Sequence, residues 1–167
     1  LLFSGKNGAQ KGSLPVFCRP FFLMECIGCF FDDDSFSGEA VSIWSPEGAR
    51  RFRFDSKTPA LDLTVSPERN RLAATFKGGL IVVLDSTLRE IFRIQSDSDV
   101  AATALSRDGD LAVLSAPQIE GIKVIQDLRV YREGGALLFK MALDFPAVEV
   151  AFVQLQKGMG VVTYGNS

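Results

Sequence analysis

Short runs that alternate apolar and polar residues recur along the chain, and each run has the length of a β-strand. In "LDLTV" (61–65), every second residue is apolar, which places one face of a strand in a core. The runs "RLAATF" (71–76), "LIVVLD" (80–85) and "REIFRI" (89–94) follow, separated by turn residues such as Lys77-Gly78-Gly79. This pattern predicts four short antiparallel strands joined by hairpin turns.

The same unit recurs with a period of about 40 residues, which is the spacing expected of repeats that each form one small sheet. The segment 81–94 repeats the pattern of 41–54, including Phe92 for Phe52 and Arg93 for Arg53. Downstream, "VAATALSRDGDLAVLS" (100–115) repeats the pattern of the strands at 61–65 and 71–76. No window shows helical periodicity, so helical repeats are excluded.

These repeats predict an all-β fold, a partial β-propeller of about three blades of four-stranded antiparallel sheets. In the last full blade we expect strands at 121–126 and 136–143, joined by a long link at 127–135. The apolar segment 1–39 is interpreted either as a degenerate blade or as a part outside the repeat. The predicted blades are a half blade at 40–55, full blades at 60–95 and 100–143, and a half blade at 147–164.

Two segments carry a resemblance to known repeats. "GGLIVVLD" (78–85) resembles the third strand of WD40-type blades, with Leu84-Asp85 where that family often has Trp-Asp. "SGEAVSIWS" (37–45) keeps Gly38 and Trp44 but has Ser45 in place of the aspartate. The segment "LSRDGDLAVLSA" (105–116) is similar to PQQ-like propellers as well. The resemblance implies a divergent, incomplete propeller, a fold that serves many functions.

An incomplete propeller leaves sheet faces that need a cover. Closed propellers use four to eight blades, and an end blade without a neighbour exposes an apolar face. We expect the remaining blades to come from a longer polypeptide or from a second copy of the chain. The absence of an initiator methionine favours the longer polypeptide.

Composition removes several function classes. The chain of 167 residues has a net charge of −2 with no basic cluster, so no nucleic-acid partner is predicted. Histidine is absent, which excludes His-activated nucleophiles and Cys/His zinc sites. Arg19, Pro20 and Glu25 interrupt the apolar stretch 14–31, so no membrane span is predicted there. No cofactor is predicted, and an enzymatic role is not expected.

Cys26 and Cys29 have the CxxC spacing of redox dithiols, which makes them candidate redox residues. A zinc site would need four ligands, whereas the chain has three cysteines and no histidine. The flanking phenylalanines and the acidic run 32–34 do not favour a lowered thiol pKa. The alternative is that these thiols are ordinary buried residues.

Candidate partner contacts lie in the segments that lengthen one blade relative to the other, 116–123 and 127–135. Insertions in repeat proteins often form the binding face, and Tyr and Arg are favoured at interfaces. The sequence thus favours a non-catalytic scaffold or binding domain for protein partners. The alternative is an extracytoplasmic ligand-binding or quinone-dependent enzyme propeller, and the compartment stays open between the cytoplasm and the bacterial extracytoplasmic space. The predicted contact residues are Gln118, Glu120, Arg129, Tyr131 and Arg132.

Overall fold

The computed structural model describes residues 2–4, 10–13, 19–23, 26–30, 38–68, 70–121, 123–155 and 158–165. Every regular element in these ranges is a β-strand, and all strand pairing is antiparallel. Three sheets have four or five strands; a two-stranded sheet precedes them and another follows. We call these two-stranded sheets the N-terminal pair, β1 (Leu2–Ser4) and β2 (Gln10–Ser13), and the C-terminal pair, β16 (Glu149–Leu155) and β17 (Gly158–Tyr164).

Blade 1 contains strands from both sides of residue 39. The two strands expected at 40–55 share one sheet with two strands from the apolar N-terminal segment. Gly28 leaves room for the ring of Phe21 on the neighbouring strand, since a Cβ there would lie 2.0 Å from that ring. The division of the chain into domains stays a prediction. The strands are β3 (Arg19–Leu23), β4 (Cys26–Phe30), β5 (Glu39–Trp44) and β6 (Arg50–Asp55).

Blade 2 has four strands that pair in chain order, at the positions where the alternating pattern predicts them. Its two central strands have both faces buried, so each presents apolar residues alternately to the two neighbouring blades. The strands are β7 (Ala60–Val65), β8 (Arg71–Phe76), β9 (Leu80–Asp85) and β10 (Glu90–Gln95).

Blade 3 differs from the prediction in its third strand. The expectation of a strand at 121–126 followed by a link at 127–135 is wrong, because β14 continues to Tyr131 and only 132–136 forms the turn. Strand β14 pairs with β12 and β15 along this stretch, which satisfies its backbone groups. The strands are β11 (Val100–Leu105), β12 (Leu111–Ser115), β13 (Gln118–Glu120), β14 (Lys123–Tyr131) and β15 (Leu137–Leu143).

The turn between the last two strands has the same length and backbone hydrogen bonds in all three blades. In each blade its first residue donates a backbone hydrogen bond to the carbonyl four residues later. The fourth residue has a positive φ: 86° at Gly48, 58° at Leu88 and 89° at Gly135. Leu88 tolerates this left-handed conformation because its side chain is buried in the core. The three turns are 45–49, 85–89 and 132–136.

The hydrophobic core consists of three clusters, each between successive sheets. Leu72 and Ala74 of β8 face blade 1, whereas Ala73, between them, faces blade 3. A third cluster joins blade 3 to the C-terminal pair. The first strands β7, β11 and β16 are neighbours, and the Thr64 and Thr103 hydroxyls lie 2.8 Å apart between two of them. The sheets therefore stack face to face around their first strands, as predicted for a partial β-propeller.

Candidate protein-interaction site on the third blade

Among the described residues, blade 3 alone carries an additional β-hairpin, within 116–125. In blade 2, Lys77-Gly78-Gly79 joins the second and third strands directly, whereas in blade 3 the chain first forms β13. Strand β13 pairs with the start of β14, with Glu120 opposite Lys123. Gly121 has a φ of 65°, the left-handed conformation that a two-residue hairpin turn requires. The additional residues of this blade therefore form an ordered hairpin.

The hairpin exposes two large apolar side chains, one on each face. All three residues of β13 are exposed, and Ile119 is 79% exposed. Ile125, on the opposite strand, is also exposed. An exposed β-strand edge with a large apolar residue is a typical site for a protein partner.

The structure separates the five predicted contact residues into two groups. Gln118, Glu120 and Arg132 are exposed, the first two on β13 and the third in the turn 132–136. Tyr131 is only 8% exposed and packs in the cluster between blades 2 and 3. Arg129 lies on β14 with a side chain that is 12% exposed. The predicted placement of Tyr131 and Arg129 on a loop was wrong, because both lie on β14. The role of all five residues in partner contact stays a prediction.

Arg129 links blade 3 to the connection between blades 2 and 3. Its Nη2 atom lies 2.7 Å from Asp97 Oδ1 and 3.1 Å from Asp127 Oδ2. Lys140 Nζ lies 2.8 Å from the same Asp127 oxygen. Burial by itself would lower the pKa of Arg129, but hydrogen bonds to Asp97, Asp127 and Tyr131 outweigh it and raise that pKa. Arg129 thus stays charged and holds the base of the hairpin to the preceding link.

A polar cleft of about 230 Å³ lies between this link and the base of the hairpin. Of the predicted contact residues, Gln118 and Arg129 line it, whereas Glu120, Tyr131 and Arg132 do not. The side chains of Arg129 and Lys140 are already paired with carboxylates, which leaves little unpaired positive charge for a ligand. The lining residues are Asp97, Ser98, Ser115, Gln118, Ile125, Gln126, Asp127 and Arg129.

Gln126 is a positioning residue that the sequence analysis missed. Its side chain is buried, and Nε2 donates to the carbonyls of Ser115 and Ala147, each at 2.8 Å. Oε1 accepts the backbone N–H of Ala147 at 2.7 Å. The Ser115 hydroxyl accepts the N–H of Asp127 at 2.8 Å. A glutamine on the otherwise apolar inward face of a strand is the signal that points to such a role.

The two candidate redox cysteines lie on one strand, β4. Residues three apart on a strand have Cα atoms about 10 Å apart, beyond the roughly 7 Å that a disulfide spans. Cys26 is a free thiol that packs against the cluster between blades 1 and 2. The redox role of Cys26 and Cys29 stays a prediction, and this spacing does not favour it.

Two further observations concern metal sites and membrane helices. In the described part of the chain, no group of three or more Cys, Asp or Glu residues has an arrangement that could hold a metal ion. No helix among the described residues is long and apolar enough to cross a membrane.

Comparisons with known proteins identify the fold. No protein-family model and no curated protein matches the sequence. Among solved structures, KlHsv2 with loop 6CD replaced by a Gly-Ser linker is similar at a TM-score of 0.66 and 13% identity, over 95% of this chain and 54% of that one. Hsv2 from Kluyvelomyces marxianus is similar at a TM-score of 0.65 and 13% identity, over 95% and 56%.

A third similar structure is the β-propeller domain of Cps50 (Swd1) from Myceliophteria thermophila, with a TM-score of 0.56 and 11% identity over 79% of this chain and 43% of that one. The chain therefore spans about half the length of the propellers that it resembles. At these identities the likeness shows the fold alone. The protein has the fold of a partial β-propeller.

Proposed function

We propose that this chain is a non-catalytic binding domain and that the hairpin 116–125 is its contact for a protein partner. The observation that carries the proposal is the 79% exposure of Ile119 on a hairpin that only blade 3 has among the described residues. The propeller fold serves many functions, so the proposal rests on this hairpin and not on the fold. The predicted alternative, a ligand-binding or quinone-dependent enzyme propeller, has no specific observation in its favour.

The base of the hairpin supports the proposal because it is fixed at two points. Gln126 joins β14 to the link before β16, and Arg129 joins it to Asp97. A contact residue on a fixed element loses less conformational entropy on binding than one on a flexible loop. Ile119 is therefore presented in a defined position, with the polar residues Gln118 and Glu120 on either side.

The partner contact is tested by changing Ile119 and comparing the change with a matched control. Wild type, Ile119→Asp and Leu138→Asp are used for affinity capture from an extract of the source organism, followed by binding measurements with the purified partner. Leu138 is an exposed apolar residue on the same blade but outside the hairpin. Substitutions at both exposed positions should leave stability within about 0.5 kcal/mol.

We expect Ile119→Asp to weaken partner binding by about tenfold or more, since an apolar anchor is replaced by a charge that must be desolvated. Leu138→Asp should bind like wild type. Equal binding by wild type and Ile119→Asp would exclude the hairpin as the contact.

A further inference from the structure

Strand β13 has one edge at which the backbone groups of Ile119 are unpaired, and we call it the free edge. Glu120 lies opposite Lys123 across a two-residue turn, so these two residues form the hydrogen-bonded pair that closes the hairpin. In an antiparallel ladder the next pair, Ile119 and Val124, is not hydrogen-bonded, so the N–H and C=O of Ile119 point away from β14. Among the described residues, no strand lies on that side of β13, and no turn or loop backbone bonds to Ile119.

The free edge can accept one more strand, and its side chains define what that strand should contain. A residue opposite Ile119 forms two backbone hydrogen bonds with it and has its side chain on the same face of the sheet. Because Ile119 is 79% exposed, an apolar residue at that position buries apolar surface of both side chains. The residues before and after it point to the opposite face, on which Gln118 and Glu120 lie.

The face that carries Gln118 borders two cavities of about 230 and 350 Å³, both of which the link 96–99 also lines. Arg129 is paired with Asp97 and Asp127, whereas the carboxylate of Asp99 has no ion pair within the described part of the chain. Carboxylates therefore outnumber cations in the lining, and this charge favours a basic ligand. The charged residues that line the two cavities are Asp97, Asp99, Asp127 and Arg129.

We propose that the free edge of β13 binds an extended segment of the partner as an additional strand, with an apolar residue opposite Ile119 and basic residues on either side. This inference rests on the proposed function, because it names the class of partner that the hairpin 116–125 contacts. The backbone hydrogen bonds supply affinity, and the alternating side chains supply specificity. The apolar residues of the segment lie on the face of Ile119, and the basic residues point toward Asp99 and the two cavities.

The proposal is tested by fluorescence anisotropy with labelled peptides and the full 167-residue protein. The probe is the heptapeptide Lys-Val-Lys-Val-Lys-Val-Lys. One matched peptide has N-methylated valines, which removes the N–H groups that face β13 and keeps the side chains and charges. A second has glutamate in place of each lysine. We expect each matched peptide to bind at least about tenfold more weakly than the probe.

Two variants of Ile119 separate the contribution of the backbone from that of the side chain. Ile119→Pro removes the outward N–H but no hydrogen bond to β14, and proline is tolerated on a strand edge of this kind. We expect it to weaken binding of the probe at least about tenfold, whereas Ile119→Val should bind within about twofold of wild type. An NMR contact between Gln118 and Ile125, which lie opposite each other, checks that the hairpin persists in both variants.

A second pair of variants tests the charge of the cavities. Asp99→Asn should weaken binding of the probe about threefold, because one unpaired carboxylate is removed next to the basic side chains. Asp144→Asn is the matched control, since Asp144 is exposed on the same blade and lines neither cavity, and it should bind like wild type.

Equal binding of the probe and its N-methylated form would overturn the proposal, and so would unchanged binding by Ile119→Pro or no binding of the probe at about 1 mM. If Ile119→Asp weakens partner capture but the probe does not bind, the proposed function stands and strand addition is wrong. If neither the captured partner nor the probe depends on Ile119, both proposals fail.

Discussion

Blades 2 and 3 follow one plan, and the contrast between them shows which of their properties come from their neighbours. Phe92 and Phe139 occupy equivalent positions, yet one is 7% and the other 44% exposed. Their local sequences and turn geometries are alike. In a repeat protein each unit is stabilised by the units beside it, so the energetic value of a residue depends on what its neighbour contributes.

The blades also differ in how they hold the link that leads to the next sheet. In blade 2 the backbone carbonyl of Gly79 accepts the N–H of Ser96 at 2.9 Å. Blade 3 has the hairpin 116–125 in this region, and there the side chain of Gln126 accepts the N–H of Ala147. The link after blade 3 is thus held by a buried side chain in addition to the strand pairing of Gln126 with Leu143.

The largest expected effect contrasts the two phenylalanines. Phe92→Ala should lower the free energy of unfolding by about 3–5 kcal/mol, because it removes a buried ring from the cluster between blades 2 and 3. Phe139→Ala should cost less than about 1 kcal/mol in dilute protein. Urea unfolding at two protein concentrations measures both values.

The contrast rests on burial, because the ring of Phe92 packs between two sheets whereas that of Phe139 is 44% exposed. Equal costs for the two substitutions in dilute protein would contradict the difference in burial.

A smaller effect is expected from the two glutamines near the links. Gln126→Ala leaves the buried carbonyls of Ser115 and Ala147 and the N–H of Ala147 without their protein partner, and we expect a loss of about 2–4 kcal/mol. Gln95, which donates to the Gly78 carbonyl at 2.6 Å, is exposed, so Gln95→Ala should cost less than about 1 kcal/mol. Thermal unfolding measures both, and hydrogen exchange at Ala147 reports the local loss. A similar cost for both variants would show that burial of Gln126 is unimportant.

The smallest effect concerns two arginine–carboxylate pairs. Burial would raise the pKa of Asp127, but hydrogen bonds from Lys140 and Arg129 outweigh it and hold that pKa below its ordinary value of 3.8. A hydrogen bond from Arg93 similarly holds the pKa of Glu90 below 4.5. A carboxylate with a depressed pKa stabilises the fold above its ordinary pKa, and this contribution is lost as the pH falls through the folded-state value.

We therefore expect Asp127→Asn to flatten the fall in melting temperature below about pH 4. Glu90→Gln should flatten it less, because the Arg93 side chain is 61% exposed and its ion pair is screened by solvent. Melting temperatures between pH 6 and pH 2 measure the difference. Identical curves for wild type and Asp127→Asn would contradict a role for this ion pair.

The strands of blade 2 could be predicted from sequence because each alternates regularly and ends at a strong turn signal, such as Gly78-Gly79. Strand β14 was predicted wrongly because the extra residues of blade 3 were assigned to both 116–123 and 127–135. Alternation alone does not decide between these segments, since both contain apolar residues at strand spacing. The pairing of Leu128 and Val130 with β12 and β15 decides it.

The candidate site was predicted only in part for a related reason. Gln118 and Glu120 were predicted as contacts because they lie in an insertion; they are exposed, and their role in contact stays a prediction. Tyr131 and Arg129 are residue types that interfaces favour, but the same types also fill the spaces between stacked sheets. Whether such a side chain is exposed depends on how the next blade packs against it. The residue type alone does not determine that packing.

The sequence by itself determined the period, the strand-and-turn alternation and thus the propeller architecture, because these depend on local pairing between residues close in the chain. Only the tertiary structure decided which strands complete blade 1, which residues are covered and where the inserted hairpin stands. These properties depend on contacts between sheets, whose residues are about 40 positions apart and leave no local signal.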